Sequence, residues 1–254
     1  VGLMEPLRWK HKDSIIGLTP EYTSIASLLK RNGYETYLVG KWHLGYDLRY
    51  SPNKNGFDYF FGFNSGGIDY ISHTNPKGQS DLYENETPIK IGGYLTDIWA
   101  EKAIEIIESN HSKPFFLSVM FNAPHWPWQA PGDKPYPDTM NWHTGGSKEK
   151  YAAMINSLDQ AVGKMMKALD GQKLTNQTLV IFTSDNGGEE FSDMGIYSGM
   201  KEELLEGGIK EPAFVRWPGV IAAGSSTRQV AITMDWTATI LAAAVTKPDP
   251  AFPL

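Results

Sequence analysis

Three polar clusters carry the residue types that could hold an anionic group together with its counter-cation. Lys41 and His43 follow one apolar, strand-like run, His125 follows a second, and Asp185 with Asn186 follows a third. In open α/β sheets ligands bind outside the carboxyl ends of the strands, so clusters from distant parts of a chain can converge on one crevice. The sequence therefore predicts an enzyme site assembled from all three.

Lys41 and His43 lie two residues apart, on either side of Trp42. In an extended segment they would face the same side. A lysine anchors phosphate or sulfate oxygens as a point charge, and a histidine can shuttle a proton near neutral pH. The alternative is an exposed lysine beside a packed tryptophan, with His43 hydrogen-bonded to the backbone, and the pair alone does not exclude it.

Two further residues offer a proton or a positive charge. His125 stands in the segment Pro124-His125-Trp126-Pro127 directly after a strand-like run, and a rigid turn of this kind suits a general acid. Lys201, five residues before Glu206-Gly207-Gly208, is a second cation for an anionic oxygen or a leaving group. Each residue taken singly is as compatible with a structural role.

The segment Ser184-Asp185-Asn186-Gly187-Gly188 supplies hard oxygen ligands after a buried run. Asp and Asn oxygens suit Ca²⁺ or Mg²⁺ better than zinc or copper. An Asx turn at a strand end is the simpler alternative. Because Ca²⁺ takes about six to eight ligands, any cation held here needs further ligands from outside this segment.

The elements that position these residues follow from the hydrophobic pattern. Helices alternate with short apolar runs, which predicts an α/β fold with a mainly parallel central sheet and helices on both faces. The segment from 45 to 93 reads as long loops with short strands. The predicted helices run from Thr19-Pro20 to Gly33, from 96 to 109, from Ser147 along a stripe that includes Ile155, and from Asp235 to Val245; the predicted strands include 178–183 and an edge strand at 212–217.

Composition narrows the class of protein. With 254 residues, 41% of them hydrophobic and 20% charged, the chain can bury a sizeable core, and one large domain is expected. A net charge of −6 argues against nucleic-acid binding. A membrane-spanning helix needs about 18 or more consecutive apolar residues, and no stretch of the sequence is that long. The absence of cysteine excludes disulfides and thiolate nucleophiles within these residues without fixing the redox compartment.

A nucleophile is missing from this constellation. The sequence contains no Gly-x-Ser-x-Gly elbow, no Walker loop and no His-Glu-x-x-His motif. It begins at Val1 without an initiator methionine and ends in the Pro-rich stretch 248–254. We therefore expect an internal piece of a longer protein, so the lack of a recognisable signal peptide carries little weight.

These residues together resemble the type I sulfatases of the alkaline phosphatase superfamily. The resemblance covers most of the chain through ordered motifs at family-like intervals. The motifs are Gly40-Lys41-Trp42-His43-Leu44-Gly45, Pro124-His125-Trp126-Pro127, Ser184-Asp185-Asn186-Gly187-Gly188, and Lys201 with Glu206-Gly207-Gly208, flanked by Gly33-Tyr34-Glu35-Thr36, Gly56-Phe57-Asp58 and Arg216-Trp217-Pro218-Gly219.

The resemblance implies an alkaline-phosphatase-like domain that hydrolyses aryl or carbohydrate sulfates to an alcohol and inorganic sulfate. It implies that Asp185 and Asn186 ligate Ca²⁺, with Mg²⁺ the less favoured ion, and that Lys41, His125 and Lys201 contact the sulfate. His43 would support the formylglycine nucleophile as the base that collapses the sulfated hemiacetal. His125 and Lys201 would be the candidates for protonating the leaving alcohol. Export to the periplasm or the extracellular space, and maturation by a formylglycine-generating enzyme, are also implied.

The sequence departs from the family pattern in two places. The Cys/Ser-x-Pro-x-Arg motif and the paired Asp ligands do not occur in it, which predicts that residues 1–254 are part of a catalytic domain, without the upstream nucleophile segment and a smaller C-terminal domain. Such a piece should not turn over substrate. The second departure is Lys210-Glu211-Pro212, where the family commonly has Arg and then an apolar residue.

Two competing functions stay open. A phosphatase or phosphodiesterase of the same superfamily would usually carry Asp-His-Gly, so Asn186 favours the one-metal sulfatase site. A catalytically inactive relative could bind sulfated glycans through the same lysines, and the residue at the missing Cys/Ser position would distinguish the two cases. Trp126, Trp128, Trp142 and the Tyr-rich stretch 70–94 could line a sugar subsite, but they do not identify one substrate.

Overall fold

The computed structural model describes residues 16–137 and 141–251. The helices are α1 (Ile25–Arg31), α2 (Leu95–Glu108), α3 (Lys148–Gly171), α4 (Glu206–Ile209) and α5 (Thr233–Ala243). The strands are β1 (Glu35–Lys41), β2 (Tyr59–Phe63), β3 (Tyr83–Glu84), β4 (Thr87–Pro88), β5 (Phe115–Met120), β6 (Val180–Thr183) and β7 (Ala213–Arg216).

The central sheet has the strand order β4-β3-β2-β1-β5. β1 lies between two parallel partners, β2 and β5, so the carboxyl ends of these three strands share one edge. β3 and β4 pair antiparallel beyond β2, which makes the sheet mixed. The α/β prediction is confirmed. Of the parallel strands, β1 ends at Lys41 and β5 leads to the loop that carries His125.

Helices cover both faces of the sheet, as predicted. Leu38 on β1 belongs to a buried cluster with Ala26 of α1. The next residue, Val39, belongs to a different buried cluster with Trp99 of α2. Because neighbouring side chains on a strand point to opposite faces, β1 joins two cores and is fixed from both sides.

The helix boundaries agree with the prediction except at α1 and α5. Asp235 does not begin α5 as predicted: the helix begins at Thr233, and Asp235 lies in its first turn, where it accepts a hydrogen bond from the Ile232 amide at 2.7 Å. Ser147 caps α3 by accepting a hydrogen bond from the Lys150 amide at 3.2 Å, as expected, although Ile155 on that helix is 40% exposed. The predicted start of α1 at Thr19 is wrong. The helix begins after Ser24, whose Oγ accepts a hydrogen bond from the Ser27 amide at 3.0 Å, and this side chain satisfies an amide left free at the helix start.

Two strands differ from the prediction. β2 is one of the short strands expected within 45–93, but its place beside β1 in the central sheet was not predicted. β6 was expected to extend the parallel sheet, but it pairs antiparallel with β7 in a separate two-stranded sheet of the described region. The alternation of helices and strands does not specify which strands pair.

No described helix combines the length and the apolar composition needed to cross a membrane. The longest, α3, has 24 residues but carries charged side chains along its length.

Candidate active site

The segment after β1 places Trp42 and His43 in different environments. Trp42 is buried, packs edge-on against Phe57 with ring centroids 6.3 Å apart, and donates its Nε1 hydrogen to the Tyr50 carbonyl at 2.9 Å. His43 takes a positive φ of 52°. Its ring lies over Gly66, where an added Cβ would come within 2.7 Å of ring atoms. The local backbone therefore anchors Trp42 in the core and holds His43 against a glycine.

A glycine lets β1 and β5 approach closely next to the candidate site. Gly40 has φ +104°, and a Cβ placed there would lie 2.2 Å from the Met120 carbonyl oxygen. Any other residue would force the two strands apart. The close approach sets the spacing between Lys41 and the loop that carries His125.

His125 is held by the backbone of its own loop. Its amide donates to the Asn122 carbonyl at 2.7 Å, and its Nδ1 lies 2.7 Å from the Trp126 carbonyl oxygen. A carbonyl can only accept, so Nδ1 carries the hydrogen, and the neutral ring presents a lone pair at Nε2. Burial lowers the pKa of His125 well below its usual value, and the charges of Lys41 and Lys201 lower it further.

Two glycine pairs join the Asp185 loop to the segment around Lys201. The Gly187 amide donates to the Gly208 carbonyl at 2.9 Å, and a Cβ on Gly187 would lie 1.9 Å from the Gly207 carbonyl oxygen. The Lys201 amide donates to the Gly188 carbonyl at 2.8 Å. Only glycine permits this contact, which explains why both segments carry a Gly-Gly pair.

Lys201 forms an ion pair that the sequence did not reveal. Its Nζ lies 3.2 Å from Glu189 Oε2, and the two side chains are 20% and 28% exposed. The Glu189 charge also acts on Lys41. In the sequence, the only indication that Glu189 belongs to the site is its position directly after Gly187-Gly188.

Electrostatic coupling shows that the clusters converge. Burial lowers the pKa of Lys41 to about 8; Asp185 raises this pKa, and Lys201 lowers it. The charges of Lys41, Lys201 and His43 lower the pKa of His125. Groups contributed by β1, by the loop after β5 and by the loop after β6 therefore influence one another in a single site.

Asp185 and Asn186 line a cavity of about 270 Å³. Asp185 is exposed and Asn186 is partly buried. Glu211 lines the same cavity, and burial raises the pKa of its carboxyl, with a smaller contribution from the Asp185 charge. Within residues 16–137 and 141–251, no group of three or more His, Cys, Asp or Glu side chains could share a metal ion. The side-chain oxygens of Asp185 and Asn186 nevertheless suit a hard divalent cation.

The aromatic residues near the site divide into core and rim. Trp128, Tyr70 and Tyr94 are buried and serve the core. Trp126 is half-buried beside His125, with ring centroids 4.4 Å apart, and His143 and Trp142 lie 4.2 and 6.3 Å from it. Trp126, Trp142 and His143 form an aromatic rim next to His125.

A sequence model of the sulfatase family matches residues 4–246. The chain belongs to the sulfatase family. The resemblance stated from the motifs is thereby confirmed.

Among curated relatives of this sulfatase chain, mouse arylsulfatase J is 34% identical over 229 residues, covering 85% of the chain and 38% of the relative. Mouse N-acetylgalactosamine-6-sulfatase is 34% identical over 244 residues, covering 88% of the chain and 45% of the relative. Ps i-CgsB, solved in complex with a neocarrahexaose, superposes with a TM-score of 0.82 at 29% identity, covering 93% of this chain and 56% of that one. The chain spans about half the length of the curated relatives it matches.

Proposed function

We propose that the protein hydrolyses sulfate esters of carbohydrates or aryl alcohols to an alcohol and inorganic sulfate. The observation that carries the proposal is the convergence of Lys41, Lys201 and His125 beside Asp185. Two ammonium groups next to a partly buried histidine suit a tetrahedral anion. Membership in the sulfatase family and the names of the relatives support sulfate over phosphate.

Lys41 and Lys201 would bind the sulfuryl oxygens. Lys41 is largely removed from water, where an ion pair is stronger than in bulk solvent because the dielectric constant is lower. Lys201 would exchange its contact with Glu189 for one with the substrate. Positive charge fixed in place before the reaction stabilises the transition state without reorganisation.

We assign the proton for the leaving alcohol to Lys201. A neutral His125 whose Nδ1 hydrogen is committed to the Trp126 carbonyl has a lone pair at Nε2 and no second proton to give. Its Nε2 would accept a hydrogen bond from a neighbouring ammonium group and so help to orient the lysines around the sulfate. His43, whose ring lies over Gly66, would act as a base toward the nucleophile.

Asp185 and Asn186 would hold one Ca²⁺, whose flexible oxygen coordination tolerates this ligand set better than the strict octahedron of Mg²⁺. When bound, the cation supplies charge neutralisation to the sulfuryl group. The formylglycine nucleophile would come from a Cys or Ser in an upstream segment, since these 254 residues contain no cysteine and no Ser-x-Pro-x-Arg motif. A smaller downstream domain belongs to the same proposal. The chain by itself would then be inactive.

The aromatic rim makes a sulfated glycan the favoured substrate class. Trp126, Trp142 and His143 present ring surfaces beside His125, and sugar rings stack on such surfaces. Structural relatives solved with a neocarrahexaose and with D-glucosamine-2-N,6-O-disulfate point to the same class. We further propose export to the periplasm or extracellular space and a sulfatase-maturing enzyme as partner.

The test is hydrolysis of an aryl sulfate and the matching aryl phosphate by the full-length protein, co-expressed with a formylglycine-generating enzyme, with and without Ca²⁺. We expect calcium-dependent turnover of the sulfate well above that of the phosphate. A Trp142→Ala variant should retain aryl sulfate turnover while losing activity on sulfated oligosaccharides.

If the protein hydrolysed the aryl phosphate faster than the aryl sulfate, the proposal would be wrong and the protein would be a phosphoesterase. Absence of turnover on aryl and glycan sulfates, with binding of sulfated glycans retained, would replace it by a binding protein.

A further inference from the structure

The loop that follows β2 contacts two segments of the candidate site. We call residues 64–67 the β2 loop. A Cβ placed on Gly66 would come within 2.7 Å of Nε2 and Cε1 of the His43 ring. A Cβ placed on Gly67 would lie 3.1 Å from Cζ3 of Trp126, in the loop after β5. The backbone of the β2 loop is therefore a surface against which both His43 and Trp126 rest.

A buried carboxylate holds the β2 loop. Asp81 is 5% exposed; its Oδ2 accepts a hydrogen bond from the Ser65 amide at 3.0 Å, and its Oδ1 accepts one from the Asn64 amide at 3.4 Å. The sheet explains this contact, because β2 pairs antiparallel with β3 in the register Gly62 to Tyr83. The same register continued past the ends of both strands places Asp81 opposite Asn64.

The arrangement uses both carboxylate oxygens of Asp81. Burial raises the pKa of this carboxyl, and the hydrogen bonds from Ser65 and Asn64 oppose the rise. An asparagine would present an oxygen to one of the two amides and an NH₂ group, which cannot accept a hydrogen bond, to the other. Two successive amides oriented by one side chain define how the chain enters Gly66.

A second contact joins the β2 loop to the segment that carries His43. Tyr46 lies edge-on to His43, with ring centroids 6.4 Å apart. Burial raises the pKa of the Tyr46 phenol, and a hydrogen bond from the Gly66 backbone opposes this rise. Gly66 thus contacts the segment after β1 at two side chains, so a movement of the β2 loop would move the His43 ring.

We propose that Asp81 is a positioning residue for His43, which it holds through the β2 loop. The inference rests on the proposed function, in which His43 acts as a base toward the nucleophile, and it adds a residue that lies outside the motifs of the site. A base must lie within hydrogen-bond reach of the proton that it takes. A displacement of about 1 Å can cost about 100-fold in rate.

Steady-state kinetics on an aryl sulfate test the role in the full-length protein, co-expressed with a formylglycine-generating enzyme. Asp81→Asn should lower kcat by about 10-fold to 100-fold and leave KM nearly unchanged, because the lysines proposed to bind the sulfate lie on other segments. Asp58→Asn is the matched control. Asp58 also accepts a backbone amide, that of Thr36 at 3.0 Å, but at the amino end of β1, so kcat should not change.

A double-mutant cycle separates positioning from a general loss of structure. In a His43→Ala background, Asp81→Asn should lower kcat by less than about twofold, because no ring is left to position. A further loss as large as in the wild-type background would show that Asp81 supports the fold as a whole, and would overturn the inference. Gly66→Ala places a methyl group against the His43 ring and should reproduce the loss of kcat while Asp81 is retained; unchanged turnover would contradict the inference.

Chemical modification gives a readout that needs no turnover. Diethyl pyrocarbonate reacts with accessible imidazole nitrogens, and peptide mapping by mass spectrometry reports each histidine separately. In Asp81→Asn, His43 should react faster than in the wild type, because the β2 loop no longer covers its Nε2. His111, whose Nδ1 lies 2.7 Å from Glu35 Oε2 at the amino end of β1, should react at an unchanged rate.

The two proposals fail in different ways. If the wild type hydrolyses no sulfate ester but His43 reacts faster in Asp81→Asn, the proposed function fails and the positioning role stands. An unchanged modification rate at His43 would overturn the positioning role, even if Asp81→Asn slowed turnover.

Discussion

The segment from β1 to the His125 loop supplies most of the buried core, whereas the segment from β6 to α5 leaves many of its large apolar side chains exposed. In the first, Trp99, Phe60 and Phe63 are fully buried. In the second, Phe214 is 65% exposed and Met234 is 69% exposed. We call these the packed region (residues 35–128) and the open region (residues 180–245).

The two regions hold their site residues by different means. The packed region removes Lys41 and His125 from water, and this burial lowers both pKa values. The open region leaves Asp185 exposed and fixes its loops through backbone hydrogen bonds between glycines, such as Gly187 to Gly208. Burial therefore sets the protonation of Lys41 and His125 in the packed region, whereas backbone hydrogen bonds set the position of the Asp185 loop in the open region.

The largest expected effect is on stability in the packed region. Trp99 packs against Phe61 and Phe63 and donates its Nε1 hydrogen to Asn122 Oδ1 at 2.9 Å. Trp99→Ala should lower the free energy of unfolding by about 3–5 kcal/mol, because it opens a cavity and strands a buried amide. Phe214→Ala in the open region should cost less than about 0.5 kcal/mol. Urea unfolding of both variants measures the difference, and similar losses would remove the distinction between the regions.

The next effect concerns the leaving group. Lys201→Ala should slow turnover of alkyl sulfates about 100-fold more than that of aryl sulfates, because a good leaving group needs little proton assistance. His125→Ala should slow both substrates by the same factor, since the neutral ring has no proton to donate. Steady-state kinetics on a series of leaving groups is the measurement. If His125→Ala slowed alkyl sulfates selectively and Lys201→Ala did not, the acid would be His125 in the packed region.

The smallest effect is a pH dependence that originates in the packed region. With a pKa of about 8, Lys41 is charged below that pH and neutral above it. Sulfate binding should therefore weaken as the pH rises through this value, by about 10-fold between about pH 7 and about pH 9. Lys41→Arg keeps its charge and should remove most of the dependence. Calorimetry with inorganic sulfate checks this, and an unchanged pH profile in the variant would contradict the assignment to Lys41.

Much of the fold was predictable because local pattern dominates it. The helix stripe after Ser147 and the apolar runs before Lys41 and His125 gave the correct element types, since amphipathic spacing and strand burial are local properties. The start of α1 was missed because two capping signals, Thr19 and Ser24, lie close together, and only Ser24 receives the amide hydrogen bond. The bounds of β2 and its pairing with β1 were not predicted, because burial on both faces erases the alternation that marks a strand.

The sequence by itself determined which residues could do the chemistry and the family to which they belong, because glycine pairs, prolines and site residues recur at fixed spacings. The tertiary structure alone decided that β6 pairs with β7, that Glu189 contacts Lys201, and that Glu211 lines the same cavity as Asp185. These relations join residues on different segments, and their energies depend on burial and distance. No local pattern encodes them.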